Sequence, residues 1–181
     1  LKSKQVKRYA CVEEYTKIDT DFFEGFDYEM IIMPRTVLSL ESTIKEKYII
    51  SLDRIYYLIK KQDISLLYVI ALINSKLITS WFDYYYSTTK IRGGYFDLNG
   101  NQIGSIPIYE ATSEDQAPFI KLADQMLETQ GRLQQALSGD DKKLLKQRAA
   151  ILDKQIDNAV YKLYNLTEDE VKIVEGEGDE I

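Results

Sequence analysis

Leu66-Leu67-Tyr68-Val69-Ile70-Ala71-Leu72-Ile73-Asn74-Ser75-Lys76-Leu77 is the stretch on which the fold turns. Ile64, Leu67, Ile70 or Ala71, Asn74, Leu77 or Ile78 and Trp81 recur at helical spacing, with Asp63 placed to cap the start. The pattern predicts one helix running to about Tyr85. It is apolar nearly all round, as a helix packed beneath a sheet must be.

Short strands surround it. Tyr28 to Met33 reads as a strand stopped by Pro34. Tyr48-Ile49-Ile50-Ser51-Leu52 and Ile55-Tyr56-Tyr57-Leu58-Ile59 read as two more, with β-branched and aromatic residues on both faces and so burial expected on both sides. Lys60-Lys61 ends that segment. Ser87 to Gly94 reads as an exposed loop. Tyr95-Phe96 and Ile103 to Ile108 supply late strands or turns, with Asn99-Gly100 a turn between them.

The texture changes at Ser113. Phe119, Leu122, Met126, Leu133 and Leu137 make one apolar stripe, and Gly139-Asp140-Asp141 interrupts it. Leu145, Ala149, Leu152, Ile156, Val160 and Leu163 make a second, so the segment predicts an antiparallel helical hairpin. Thr167-Glu168-Asp169-Glu170 is a capping box that opens a short last helix. Gly176-Glu177-Gly178-Asp179-Glu180 reads as a disordered tail. The expected class is α+β: a small mixed sheet on a long central helix, then the hairpin. The expected division is residues 1–112 and 113–181.

Composition narrows the chemistry. The 181 residues contain no histidine and one cysteine, Cys11, which removes His-based triads, internal disulfides and the usual zinc sites. A lone cysteine fits a reducing cytoplasm. No run of about 18 apolar residues exists, so no membrane partner is expected. The chain opens on Leu1-Lys2-Ser3-Lys4 with neither an initiator Met nor a signal peptide, and is read as a piece of a longer protein. The prolines, Pro34, Pro107 and Pro118, leave no polar-Pro-Pro-aromatic loop for amino methylation. No proline precedes an acid, as the common metal-dependent nuclease motif requires, and Glu170-Val171-Lys172 matches only its second half on the capped helix. No phosphate-cradling loop is present either. Catalysis, cofactor and metal are therefore not expected in this segment.

The net charge of -6 is unevenly placed. Residues 1–110 hold 14 basic and 14 acidic side chains, whereas residues 111–181 hold 9 and 15. The first part is thus free to show a basic face to phosphates. Three clusters are candidates. Arg35-Thr36 follows the strand end, where an Arg reaches a guanine edge or a phosphate, or else pairs with Glu29 or Glu41. Ser87-Thr88-Thr89-Lys90-Ile91-Arg92-Gly93-Gly94-Tyr95 combines hydroxyls, cations and glycines suited to following a phosphate backbone. Its glycines equally suit a plain turn back into the sheet. Lys2, Lys4, Lys7 and Arg8 are either a phosphate patch or a linker, and linker is the simpler reading. The 14 tyrosines read as core and interface residues, and Asn74 as a cap or a partner for neighbouring backbone.

The order of these segments resembles a known family. Ile32-Met33-Pro34-Arg35, Tyr48-Ile49-Ile50, the helix Leu66–Leu77, Arg92-Gly93-Gly94-Tyr95-Phe96, Ile106-Pro107-Ile108 and Leu163-Tyr164-Asn165-Leu166-Thr167 are similar to the TaqI-like C-terminal target-recognition, or specificity, domain of type IIG restriction-modification and adenine-specific DNA methyltransferase enzymes. The resemblance implies a non-catalytic, sequence-specific reader of double-stranded DNA. Arg35, Thr36, Thr88, Thr89, Lys90, Arg92, Gly93, Gly94 and Tyr95 are its expected contacts. It implies a catalytic methyltransferase or endonuclease domain in the same chain, using S-adenosylmethionine, and Mg²⁺ where that domain also cleaves. The hairpin would then pack on the catalytic body or act as a spacer. The alternative is a helical protein-interaction module of a multidomain cytoplasmic protein.

Overall fold

Met30-Ile31-Ile32-Met33-Pro34 is buried along its whole length, and this apolar run on both faces is what a central strand requires. In the computed structural model, which describes residues 6–11, 28–45, 54–59 and 64–177, it forms strand β3. The elements around it are β1 (Val6–Lys7), β2 (Ala10–Cys11), β4 (Thr36–Val37), β5 (Thr43–Lys45), β6 (Ile55–Leu58) and β7 (Phe96–Asp97). The helices are α1 (Leu66–Ile73), α2 (Lys76–Tyr86), α3 (Gly100–Gly104), α4 (Ser113–Gln135), α5 (Gly139–Leu163) and α6 (Glu168–Glu175).

The architecture is α+β, as the sequence predicts, and among the described residues the strands pair antiparallel in three small sheets. β3 lies between β5 and β6 in one antiparallel sheet, β1 pairs with β2, and β4 pairs with β7. Among the described residues β6 lies at the edge of its sheet, and its four residues are half-exposed rather than buried on both sides. The segments expected at 48–52 and at the Asp63 cap lie outside the described residues, as do residues 178–181 of the tail.

The expected central helix is two helices. α1 ends at Asn74, and the chain bends by 57° before continuing as α2. Asn74 is the cause. Its carboxamide accepts from the Ser42 N–H at 2.8 Å and Oγ at 3.0 Å, and donates to the Ser42 carbonyl at 3.0 Å. Ser75 then caps α2 by accepting from the Ile78 N–H at 3.3 Å. Two residues with competing side-chain hydrogen bonds therefore break a helix that hydrophobic spacing alone would carry through. Among the described residues no single helix is long and apolar enough to cross a membrane.

Residues 100–104 also differ from expectation. Asn99 accepts from the N–H groups of Asn101 and Gln102, and Gln102 Oε1 accepts from the Asn99 N–H, so a capping box makes a helical turn where a strand or turn was read.

α4 and α5 form the expected hairpin, with the joint moved slightly. Ser138 caps α5 by accepting from Asp140 and Asp141, so Gly139-Asp140-Asp141 opens the second helix rather than breaking the first. The two acids suit the positive end of that helix. The helices do not stand apart from the strands. Phe119, Ala123 and Met126 of α4 and Ala149, Leu152, Ile156 and Val160 of α5 share one apolar cluster with Ile31, Met33, Ile70, Leu72 and Phe96. The Tyr68 ring meets Phe119 edge-on at 5.4 Å. Gln116 accepts from the Ser65 N–H at 3.0 Å, satisfying the start of α1 from α4.

Candidate nucleic-acid interface

The chain leaves the main sheet at Pro34-Arg35. The Arg35 N–H donates to the Arg54 carbonyl at 2.8 Å, and its carbonyl accepts from Leu98 at 2.7 Å. Arg35 is thus the pivot at which the strand passes from the β3–β6 pairing to the β4–β7 pairing. Thr36 stands opposite Asp97, and Val37 opposite Phe96. This register brings the 35–36 and 87–95 segments, far apart in sequence, to one end of the molecule.

Arg35 forms an ion pair, as one sequence reading allowed, but its partner is Asp97 rather than Glu29 or Glu41. Nε donates to Oδ1 at 2.9 Å and Nη2 to Oδ2 at 3.0 Å. These bonds, with the attraction of the guanidinium, hold the Asp97 carboxyl below the usual carboxylate range and raise Arg35. Thr36 is exposed beside the pair.

Residues 87–89 form a single 3-10 turn after α2. Thr88 is exposed. Thr89 Oγ1 donates to the Tyr86 carbonyl at 2.8 Å and accepts from Gln102 Nε2 at 3.3 Å. Lys90 pairs with Asp83 and lies 5.0 Å above the Phe96 ring, so its ammonium is fastened to the scaffold.

The chain then turns sharply. Ile91 N–H donates to the Tyr95 carbonyl at 2.7 Å, and Gly94 N–H to the Ile91 carbonyl at 3.1 Å. Gly93 and Gly94 have φ of 88° and 79°, which only glycine adopts freely. The glycines therefore have the structural role that sequence reading favoured. Their effect is to place Arg92 at the tip of the turn, exposed and without an ion-pair partner among the described residues. Tyr95 packs its ring beside Gly93 and leaves 40% of its surface exposed.

Sequence reasoning passed over Arg54 and Asp97. Arg54 is exposed just before β6, next to the Arg35 pivot, and its charge adds to the depression of Asp97. The available signal was Asp97 directly after two aromatics, opposite a threonine that follows an arginine. Only the β4–β7 register turns that into a contact. Of the amino-terminal cations Arg8 is the one whose side chain is described, and it faces α5 instead. Lys2 and Lys4 lie outside the described residues, and Arg8 pairs with Asp153 of α5 at 3.2 Å, too poorly aligned for a hydrogen bond. Glu170 and Lys172 are likewise accounted for locally: Glu170 closes the Thr167 capping box and Lys172 pairs with Asp169.

A strand pivot and a fixed turn carry Arg35, Arg54, Lys90 and Arg92 together with Asp83 and Asp97. That is the form of a binding module. The chain belongs to the family of TaqI-like C-terminal specificity domains, whose model matches residues 2–108. Domains of this family serve DNA target recognition in restriction-modification enzymes and are not themselves catalytic. No curated protein matches the chain.

Proposed function

We propose that this chain is the sequence-reading module of an adenine-specific DNA methyltransferase, of the type IIG kind where the parent also cleaves. Its ligand is double-stranded DNA, its setting the cytoplasm, and its catalytic domain lies elsewhere in the same longer chain with S-adenosylmethionine, and with Mg²⁺ for cleavage. The observation that carries the reading is Arg92, an exposed cation with no ion-pair partner among the described residues, on a turn that two positive-φ glycines permit and two backbone hydrogen bonds close, in a chain of the specificity-domain family. Residues 1–112 present the contacts. Residues 113–181 brace them, because α4 and α5 complete the core on which α1 rests.

Within the face the cations differ in duty. Arg92, with the hydroxyls of Thr88 and Thr36, follows the phosphate backbone. Lys90 is held by Asp83 and contributes field more than reach. Gly93, Gly94, Thr89 and Tyr95 shape the turn.

Selection by the protein from a random duplex pool, at low and near-physiological salt, tests this. A short enriched motif that survives the higher salt is expected. Retention without enrichment, lost as salt rises, would reduce the module to nonspecific attraction. Arg92→Ala should weaken all sequences alike and lower the salt slope by about 1.

A second reading attaches to the hairpin. Leu144 and Ile151 are 65% and 61% exposed and lie seven residues apart on α5, so its outer face is apolar enough to rest on another domain of the parent. Leu144→Asp with Ile151→Asp should leave DNA selection intact and weaken association with the parent's catalytic region.

A further inference from the structure

Arg35 is engaged without being used up. A guanidinium offers five N–H donors along more than one edge. Asp97 occupies the Nε–Nη2 edge through two bonds of 2.9 and 3.0 Å. The two N–H groups of Nη1 and the second N–H of Nη2 remain, and among the described residues they meet no acceptor. Nη1 and Nη2 together present two near-parallel donors at the end of the side chain, and that side chain is 42% exposed.

The partner is fixed as firmly as the arginine. Asp97 lies in β7 opposite Thr36, and the Leu98 N–H to Arg35 carbonyl bond of 2.7 Å ties the two backbones beside the pair. The carboxylate therefore sets the plane of the guanidinium and keeps a flexible side chain in one orientation. A free arginine pairs with any phosphate within reach. One held in plane, with its charge largely offset, gains little from a phosphate and most from two acceptors at the right separation. In the major groove, O6 and N7 of guanine are such a pair.

We infer that Asp97 is a positioning residue for specificity, holding Arg35 so that its Nη1–Nη2 edge reads the O6 and N7 of one guanine. This deepens the proposed function and rests on it. Asp97 itself touches no base. It works through Arg35, and its own negative charge opposes phosphates nearby. Two consequences are opposite in sign: losing the carboxylate should blur recognition of one base pair while strengthening attraction to DNA in general.

The test is the same pool selection, made with the full 181-residue chain as wild type, Arg35→Ala, Asp97→Ala, Asp97→Asn and the Arg35→Ala/Asp97→Ala double variant. The wild-type motif should contain a G·C pair whose preference falls roughly 10- to 100-fold in Arg35→Ala. Both Asp97 variants should lose preference at that base pair and no other, and their affinity for unselected DNA at low salt should rise. The double variant should be no less selective than Arg35→Ala alone. Asp97→Asn keeps the side-chain shape, so it guards against a mere folding defect, and circular dichroism checks each variant. Unchanged preference in the Asp97 variants, or a uniform loss across all sequences, would overturn the inference while leaving the module a DNA reader. A wild type that enriches no motif would overturn the underlying function and this inference with it.

Discussion

The two ends of helix α2 use the same residue types for opposite purposes. At its amino end the charges turn inward. The buried Asp157 carboxylate accepts from the Lys76 N–H at 2.8 Å, Lys76 Nζ pairs with Glu175, Tyr161 donates to Glu175 at 2.7 Å, and Arg8 pairs with Asp153. At its carboxyl end Lys90 is paired with Asp83 and Arg35 with Asp97, while Arg92 is exposed. Arg35 and Arg54 flank the strand pivot, and Arg92 stands on its turn. A buried charge must be matched, since desolvation costs more than an imperfect partner returns. An exposed one such as Arg92, with no ion-pair partner among the described residues, is screened by water and open to a ligand. One helix therefore separates an end that holds α1, α2, α5 and α6 together from an end that carries the exposed Arg92 turn.

The separation is broken most directly at the bend just before that amino end. Asn74→Ala leaves the N–H of buried Ser42 without its partner, while the Ser42 carbonyl keeps the Tyr9 N–H at 2.9 Å, and should cost about 2 kcal/mol in urea unfolding. The base preferences of the surviving folded protein should be unchanged. A loss under about 1 kcal/mol would show that water replaces the carboxamide and that the bend does not depend on it.

Asp157→Ala sharpens the same contrast. It removes the side-chain acceptor at the start of α2, a loss of about 1–2 kcal/mol. Burial raises the Asp157 carboxyl above its usual range, so discarding that charge returns part of the cost, and the lower figure is expected. Arg92→Ala is the mirror image, with a weakened salt-dependent affinity and an unchanged melting temperature. If either variant moved both quantities, the two ends would be coupled through the helix and the division would fail.

How much of this was legible beforehand depended on whether a signal was local. The two hairpin helices, the Thr167 capping box and the Gly93-Gly94 turn each rest on residues close in sequence and form where periodicity and turn chemistry put them, whereas Leu137 falls beyond α4 and lies exposed, and Pro34 belongs to β3 instead of stopping it. The helix break at Asn74 was not readable, because it depends on Ser42, which is 32 positions away. The Arg35 partner was misread for the same reason. Asp97 is 62 positions distant, and a search for nearby acids finds Glu29 and Glu41 first. Within the candidate site, sequence supplied the cations and the turn. Only the strand register supplied the carboxylate that orients one of them.

The smallest expected effect concerns the α6 anchor, and pH separates it from its neighbours. Bonds donated by Lys76 and Tyr161 hold the Glu175 carboxyl below its ordinary value of 4.5, and Glu175 in turn raises Lys76 above 10.5. A depressed carboxyl contributes stability above its unfolded value and loses it as pH falls through the folded value. A raised amine contributes below its unfolded value and loses it as pH climbs through the folded one. The contact should therefore be complete between 4.5 and 10.5 and fade on both sides. Asp153 and Asp157, raised by burial, respond in the opposite sense to acid. Comparing wild type with Glu175→Gln cancels those shared contributions. The gap between their melting temperatures should be small and flat at neutral pH and close as the solution is acidified below 4.5. A gap that persisted undiminished at the acid end would mean that Glu175 fastens α6 by packing alone, and that even the inward end of α2 owes less to its charges than their pairing implies.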